Sequence, residues 1–149
     1  MSGSIHVTGL SQLNAAIMAM EANVQRATRV ATAQAGHLAE AAIKQQLTTS
    51  SHAKGTPTPS APGEPPSLVS GALRRSTKVV GPIPVGFGRW LAEAGPTAVY
   101  GRIQELGGTA GRGAELPPRP YVQPAYEQIV ASGAVSRTYH LAWRAALSH

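Results

Sequence analysis

The sequence predicts an α+β domain: a long N-terminal amphipathic helix and a C-terminal helix packed on a small antiparallel sheet, with extended Pro- and Gly-rich loops. Three observations carry this. Leu10, Leu13, Ile17, Met20, Val24, Ala27 and Ala31 alternate steps of three and four, and the pattern resumes at Leu38, which is the spacing of an apolar helical stripe. β-branched and aromatic residues gather between Thr77 and Ala94. Tyr126, Ile129, Val130, Ala134, Leu141 and Ala145 form a second helical pattern after Pro124, a residue suited to a first helical turn.

Taken in order, Ile5-His6-Val7 reads as a short strand, and Thr8 or Ser11 offers an N-cap to a helix from about residue 9 to 47. Gly36 marks a kink. The stripe turns small and polar at Ala27, Ala31 and Gln34. Either the whole helix packs on a sheet, or part of its seam meets another subunit, since a helix this long exceeds what one small domain covers. Residues 48–66 are rich in Ser, Thr and Pro and hold little apolar surface to offset ordering entropy. They read as a flexible arm within the domain, either a plain linker or a segment that orders against a neighbouring subunit.

Ser70 caps a short turn in which Leu73 faces inward and Arg74 and Arg75 outward. Thr77–Val80 and Val85–Ala94 read as two strands, with Gly81-Pro82 and Pro84 turning the chain between them. The expected sheet has three or four short strands beneath the long helix. Gly95-Pro96 stops the second strand. Val99, Ile103 and Leu106 then share one face of a two-turn helix, with Arg102 and Glu105 toward water, and Gly107-Gly108 ends it. Within a Gly/Pro-rich loop at 107–120, Thr109 to Glu115 reads as mobile and Pro117-Pro118-Arg119-Pro120 as stiff and extended. The last helix runs to about residue 147, bent or interrupted at Gly133.

A chain of 149 residues has the size of a single domain, here 1–149. Aromatic residues are few, four Tyr, two Trp and one Phe, so the core leans on Ala, Val, Leu and Ile. The absence of Cys excludes disulfides and thiolate metal sites. No apolar run is long enough for a membrane span, and no secretory signal is visible at the start. His37 and Glu40 lie at i, i+3, but no second ligand pair accompanies them, so they read as a solvated pair. His6, His52, His140 and His149 are isolated. No serine sits in a nucleophile elbow, and the glycines from 107 to 113 lack the Lys-Ser/Thr ending of a phosphate loop. No enzyme activity, cofactor or metal is expected.

Thirteen Lys and Arg against seven acidic residues give a net charge of +6. The cations are dispersed, with one cluster at Arg74, Arg75 and Lys78, which is weaker evidence for nucleic acid than a stripe. A small basic nucleic-acid-binding protein is the alternative reading.

Two blocks carry a family resemblance. Tyr100, Arg102, Ile103, Gln104, Glu105 and Gly107, followed by Pro117, Arg119, Pro120, Tyr121, Pro124, Ala125 and Glu127, resemble the neck, or tail-completion, family of long-tailed bacteriophages. The Pro-rich lead into Ser70-Gly71-Ala72-Leu73-Arg74-Arg75-Ser76 is similar to an earlier block of the same family. Together they cover roughly a third of the chain. The resemblance implies a small α+β virion subunit, made in the host cytoplasm, that assembles as a ring, commonly sixfold, around the DNA channel. It implies as partners further copies of the chain, the connector or stopper proteins and the tail-tube or terminator proteins, with DNA passing through unbound by sequence. Ser70, Gly71, Leu73, Arg74, Arg75, Tyr100, Glu105, Gly107, Pro117, Arg119, Pro120 and Pro124 are its candidate subunit-interface residues. The Gly-rich insertion from Gly108 to Leu116 departs from the family pattern.

Overall fold

A computed structural model describes residues 8–55 and 60–148, so the expected strand at Ile5–Val7 lies outside the described residues. The first helix, α1 (Leu10–Gln46), is continuous across Gly36. Its N-cap is Gly9, with no side-chain cap bond, so neither Thr8 nor Ser11 serves as expected. The helix stops at a Thr-Thr-Ser-Ser run because these hydroxyls compete for its last carbonyls: Thr48 Oγ1 donates to the Gln45 carbonyl and Thr49 Oγ1 to that of Gln46.

A short helix, α2 (Ala72–Ser76), follows, its entry bent by Gly71. The N-cap is Gly71, with no side-chain cap bond, so Ser70 does not cap the helix as expected; its Oγ only accepts from the Ala72 amide at 3.3 Å. Next come β1 (Thr77–Gly86) and β2 (Arg89–Pro96), paired as an antiparallel hairpin. The turn is at Phe87-Gly88, not at Gly81-Pro82 and Pro84 as the sequence suggests. Those residues form irregularities inside one long strand, where the register shifts between Val80 and Ile83. Proline lacks a donor, yet an edge position tolerates it, and with only two strands every position is an edge.

The helix α3 (Gly101–Leu106) is shorter than expected, leaving Val99 outside it and fully solvated at 99 % exposure. Thr109 to Glu115, expected as a mobile loop, closes into a two-stranded ribbon of β3 (Gly108–Thr109) and β4 (Glu115–Leu116). The sheet of three or four strands is therefore two separate two-stranded pieces. At the C-terminus, α4 (Val122–Ser132) and α5 (Ala134–Leu147) meet at Gly133, the interruption expected there. They pack mainly along α1 and not across the hairpin.

Three packing lines hold these elements to α1. The hairpin crosses at Gly36, where an added Cβ would lie 2.8 Å from Val79 Cγ1 and 3.1 Å from Ala92 Cβ. Gly36 is thus the notch that lets a sheet approach a helix, and its propensity cost, about 1 kcal/mol, is offset by that contact instead of producing a kink. Along α5, Thr32 Oγ1 bonds the Tyr139 hydroxyl at 2.7 Å and Trp143 Nε1 donates to Thr28 Oγ1 at 2.9 Å. At the far end Ala42, Ile43 and Leu47 bury against Tyr121 and Ala125, with Leu73, Ala94, Val122 and Ile129 around them.

The notch makes a testable claim. Gly36→Val overpacks the α1–hairpin contact and lowers stability by about 2 kcal/mol, read as a lower urea midpoint at unchanged slope. An unchanged midpoint would mean that the hairpin does not rest on α1.

Candidate functional site

The two blocks of interest converge on Tyr121. Its side chain is fully buried, and its hydroxyl donates to the Gly101 carbonyl at 3.0 Å, which ties the start of α3 to the start of α4. Burial, reinforced by the Glu105 charge and by Tyr100, holds that hydroxyl well above the ordinary tyrosine range, so it stays a proton donor.

Glu105 supplies the second tie. One carboxylate oxygen accepts from the Tyr121 and Val122 amides at 2.7 and 2.9 Å, and the other from the Gln123 amide at 3.0 Å. These are the unpaired donors of the first turn of α4, where the helix dipole also favours negative charge. An N-cap from the preceding residue is the usual solution. Here the cap comes from a different helix, and Tyr121 at the N-cap position contributes no side-chain bond. The expectation that Glu105 faces water gives way to this role.

The loop between α3 and α4 is fastened around the same point. The Arg119 amide donates to the Gln104 carbonyl at 2.8 Å, and the largely buried Arg119 guanidinium donates through Nε to the Ser60 carbonyl at 3.0 Å. The Gly63 amide donates to the Pro118 carbonyl at 2.9 Å. Ser50 and Ser67 bond through their hydroxyls, and Leu68 donates to the Ser50 carbonyl. The part of the 48–66 arm from Ser60 onward is thus held by its own chain and needs no neighbour to place it. Gly107 has φ 70° and ψ −174°, a region that only glycine enters readily. A Cβ there would also strike the Leu116 carbonyl and the Pro118 nitrogen at 2.8 Å.

The twelve residues singled out by resemblance divide by orientation. Leu73, Glu105, Gly107 and Arg119 are turned into the knot. Gly71, Pro117, Pro120 and Pro124 are half-buried in its loops and caps. Ser70, Arg74, Arg75 and Tyr100 are exposed, and Arg75 Nη1 donates to the Ser70 carbonyl. Lys78 is exposed as well. Both blocks line one cleft of about 180 Å³, which runs from Pro66 through Arg74 and closes on Leu47, Tyr100 and Gln104. Comparison of the chain with protein-family models, curated proteins and solved structures finds no match.

Elsewhere the polar groups are locally paired. Glu40 lies between Lys44 and His37, and hydrogen bonds from Lys44 first and His37 second lower its pKa. The pair expected to be solvated is so on one side only: the His37 side chain is 70 % exposed and that of Glu40 19 %. Among the described residues no group of three or more His, Asp or Glu is placed to hold a metal ion, and no helix is long and apolar enough to cross a membrane. Nothing in the local sequence marks Tyr121 as the centre of the knot, since a lone Tyr beside Pro120 is compatible with any surface loop.

Two outcomes test this geometry. Glu105→Ala strands three amides and lowers stability by about 2–3 kcal/mol, while Glu105→Gln, which keeps one acceptor oxygen, loses less; equal stability of all three proteins by urea titration would refute the cap. Because Tyr121 has a raised folded pKa, its share of stability is full below the unfolded value of 10.0 and is lost as pH rises through the folded value. Unfolding midpoints of the native chain should therefore fall above that pH, more steeply than those of Tyr121→Phe.

Proposed function

We propose that this chain is a structural virion subunit of the phage neck. It forms a ring, six-membered as in the family it resembles, that completes the tail and joins it to the head around the DNA channel. The observation that supports this reading is the convergence of both resembling blocks on a single knot. The residues that carry the likeness lie apart in sequence yet jointly fix α2, α3 and α4 at one end of the molecule. Glu105 and Arg119 are occupied in holding backbone, which suits a scaffold role over catalysis.

The exposed set, Ser70, Arg74, Arg75, Lys78 and Tyr100, is the natural contact for an adjacent ring of opposite charge. Dispersed cations elsewhere keep DNA from being gripped as it passes, since tight binding requires enough clustered Lys and Arg to release several counterions. Deleting the chain from a phage that encodes it should leave full heads and unattached tails, seen by negative-stain imaging. Normal infectious particles would overturn the reading. In parallel, fluorescence anisotropy with a short duplex should show weak, sequence-independent binding that fades toward physiological salt; tight or selective binding there favours the nucleic-acid alternative.

A further inference from the structure

The stripe on α1 is covered for only part of its length. From Val24 onward it lies under α5 and the hairpin, but every residue from Thr8 to Ala22 is exposed, including Leu10, Leu13, Ile17 and Met20. Leu13 is 57 % and Ile17 49 % exposed, on the same line as the fully buried Ala31. Among the described residues nothing covers Leu10, Leu13 and Ile17: α5 stops at Leu147, and the hairpin tip at Phe87 lies beside Met18, Glu21 and Ala22. The apolar stripe from Leu10 to Ile17, roughly 10 Å long at 1.5 Å per residue, projects beyond the hairpin tip.

A second apolar surface lies at the other end. Leu106, Tyr121, Val122, Tyr126 and Pro96 line an open groove of about 530 Å³ between α3 and α4. Leu106 and Tyr126 are 63 % and 67 % exposed. Tyr121 and Val122 of the groove pack with Ile43 in the core, so stripe and groove are separated by roughly 45 Å along α1. The exposed segment 8–22 carries a single charge, Glu21, and the groove wall carries the exposed Arg102 together with Glu105, whose carboxylate is held by the amides at the start of α4.

We propose that a second copy of this chain covers the stripe, head to tail: Leu10, Leu13 and Ile17 of one subunit enter the α3–α4 groove of the next. This rests on the ring reading above and names the contact that builds the ring. The accessible surface is 10295 Å², against about 7,200 Å² for a compact monomer of this mass, an excess of about 3,000 Å². An interface of standard size removes about 800 Å² from each partner. A subunit in a ring makes two such contacts, and the excess accommodates both, whereas a twofold pair of stripes removes one and leaves the groove open. Distinct surfaces at opposite ends generate a closed ring when the rotation closes.

The absence of native cysteine makes the test direct. Leu13→Cys and Tyr126→Cys alter exposed side chains, and unchanged thermal melts will confirm that each variant folds. With a short bismaleimide, the double variant should give a ladder of covalent oligomers, each single variant none, and a mixture of the two singles a covalent dimer only. Dimers from Leu13→Cys alone would show stripes pairing with each other and overturn the docking. Wild-type rings in native mass spectrometry without any ladder would also overturn it, while leaving the ring reading intact. A wild-type chain that is monomeric both in solution and on tail tubes would sink the ring reading, and the docking with it.

Discussion

The architecture depends on one carboxylate. Glu105, at the end of a six-residue helix, meets the three free amides at the start of α4. A helix as short as α3 has no independent stability, because nucleation fixes several residues for few bonds. Its position is therefore set from outside, by Tyr121 on its first carbonyl and by α4 against its last turn. Glu105 satisfies the free amides of α4, and the Gln104 carbonyl near the end of α3 is met by the Arg119 amide. Gly107, the prolines and Arg119 follow from this arrangement, since the loop must turn away at once and return within a few residues to deliver Tyr121 to the core.

That loop in turn collects a segment distant in sequence. The Pro118 carbonyl and the Arg119 guanidinium hold residues 60–63 by backbone contacts alone. A stretch with almost no apolar side chains is placed because its amides and carbonyls find partners, which burial-based reasoning does not anticipate. The composition reading of a flexible arm, whether plain linker or segment that orders on a neighbour, counted side chains and omitted the backbone.

Other readings show the same division. Periodicity located α1 to within a residue at each end, because a stripe sustained over many turns averages out local ambiguity. It located the interruption at Gly133 for a related reason, a glycine between two helical patterns. It failed at Val99, where one apolar residue four positions before Ile103 fitted the spacing but lay outside the helix. Turn chemistry failed at Gly81-Pro82, which reads locally as a turn but is absorbed as an irregularity once the rest of β1 pairs with β2. Gly36 shows the limit most plainly. Its meaning depends on Val79 and Ala92, residues more than forty positions away that only the fold brings near.

A sparing core and a long helix are two sides of one constraint. Among the described residues the buried apolar ones are Ala31, Ala42 and Ile43 in the C-terminal half of α1, its C-cap Leu47, and Tyr121 and Ala125 at the start of α4. The chain has the apolar residues for a larger core but displays them instead on the first turns of α1, the hairpin tip, and the outer faces of α4 and α5, as at Phe87, Val130 and Leu141. A monomer selected for its own stability would shorten α1 to the length that α5 covers, because each further exposed turn adds ordering entropy without burial. Retaining those turns makes physical sense where a partner completes them; in the head-to-tail contact we propose, the knot around Tyr121 fixes the groove's walls and the stripe is what enters it.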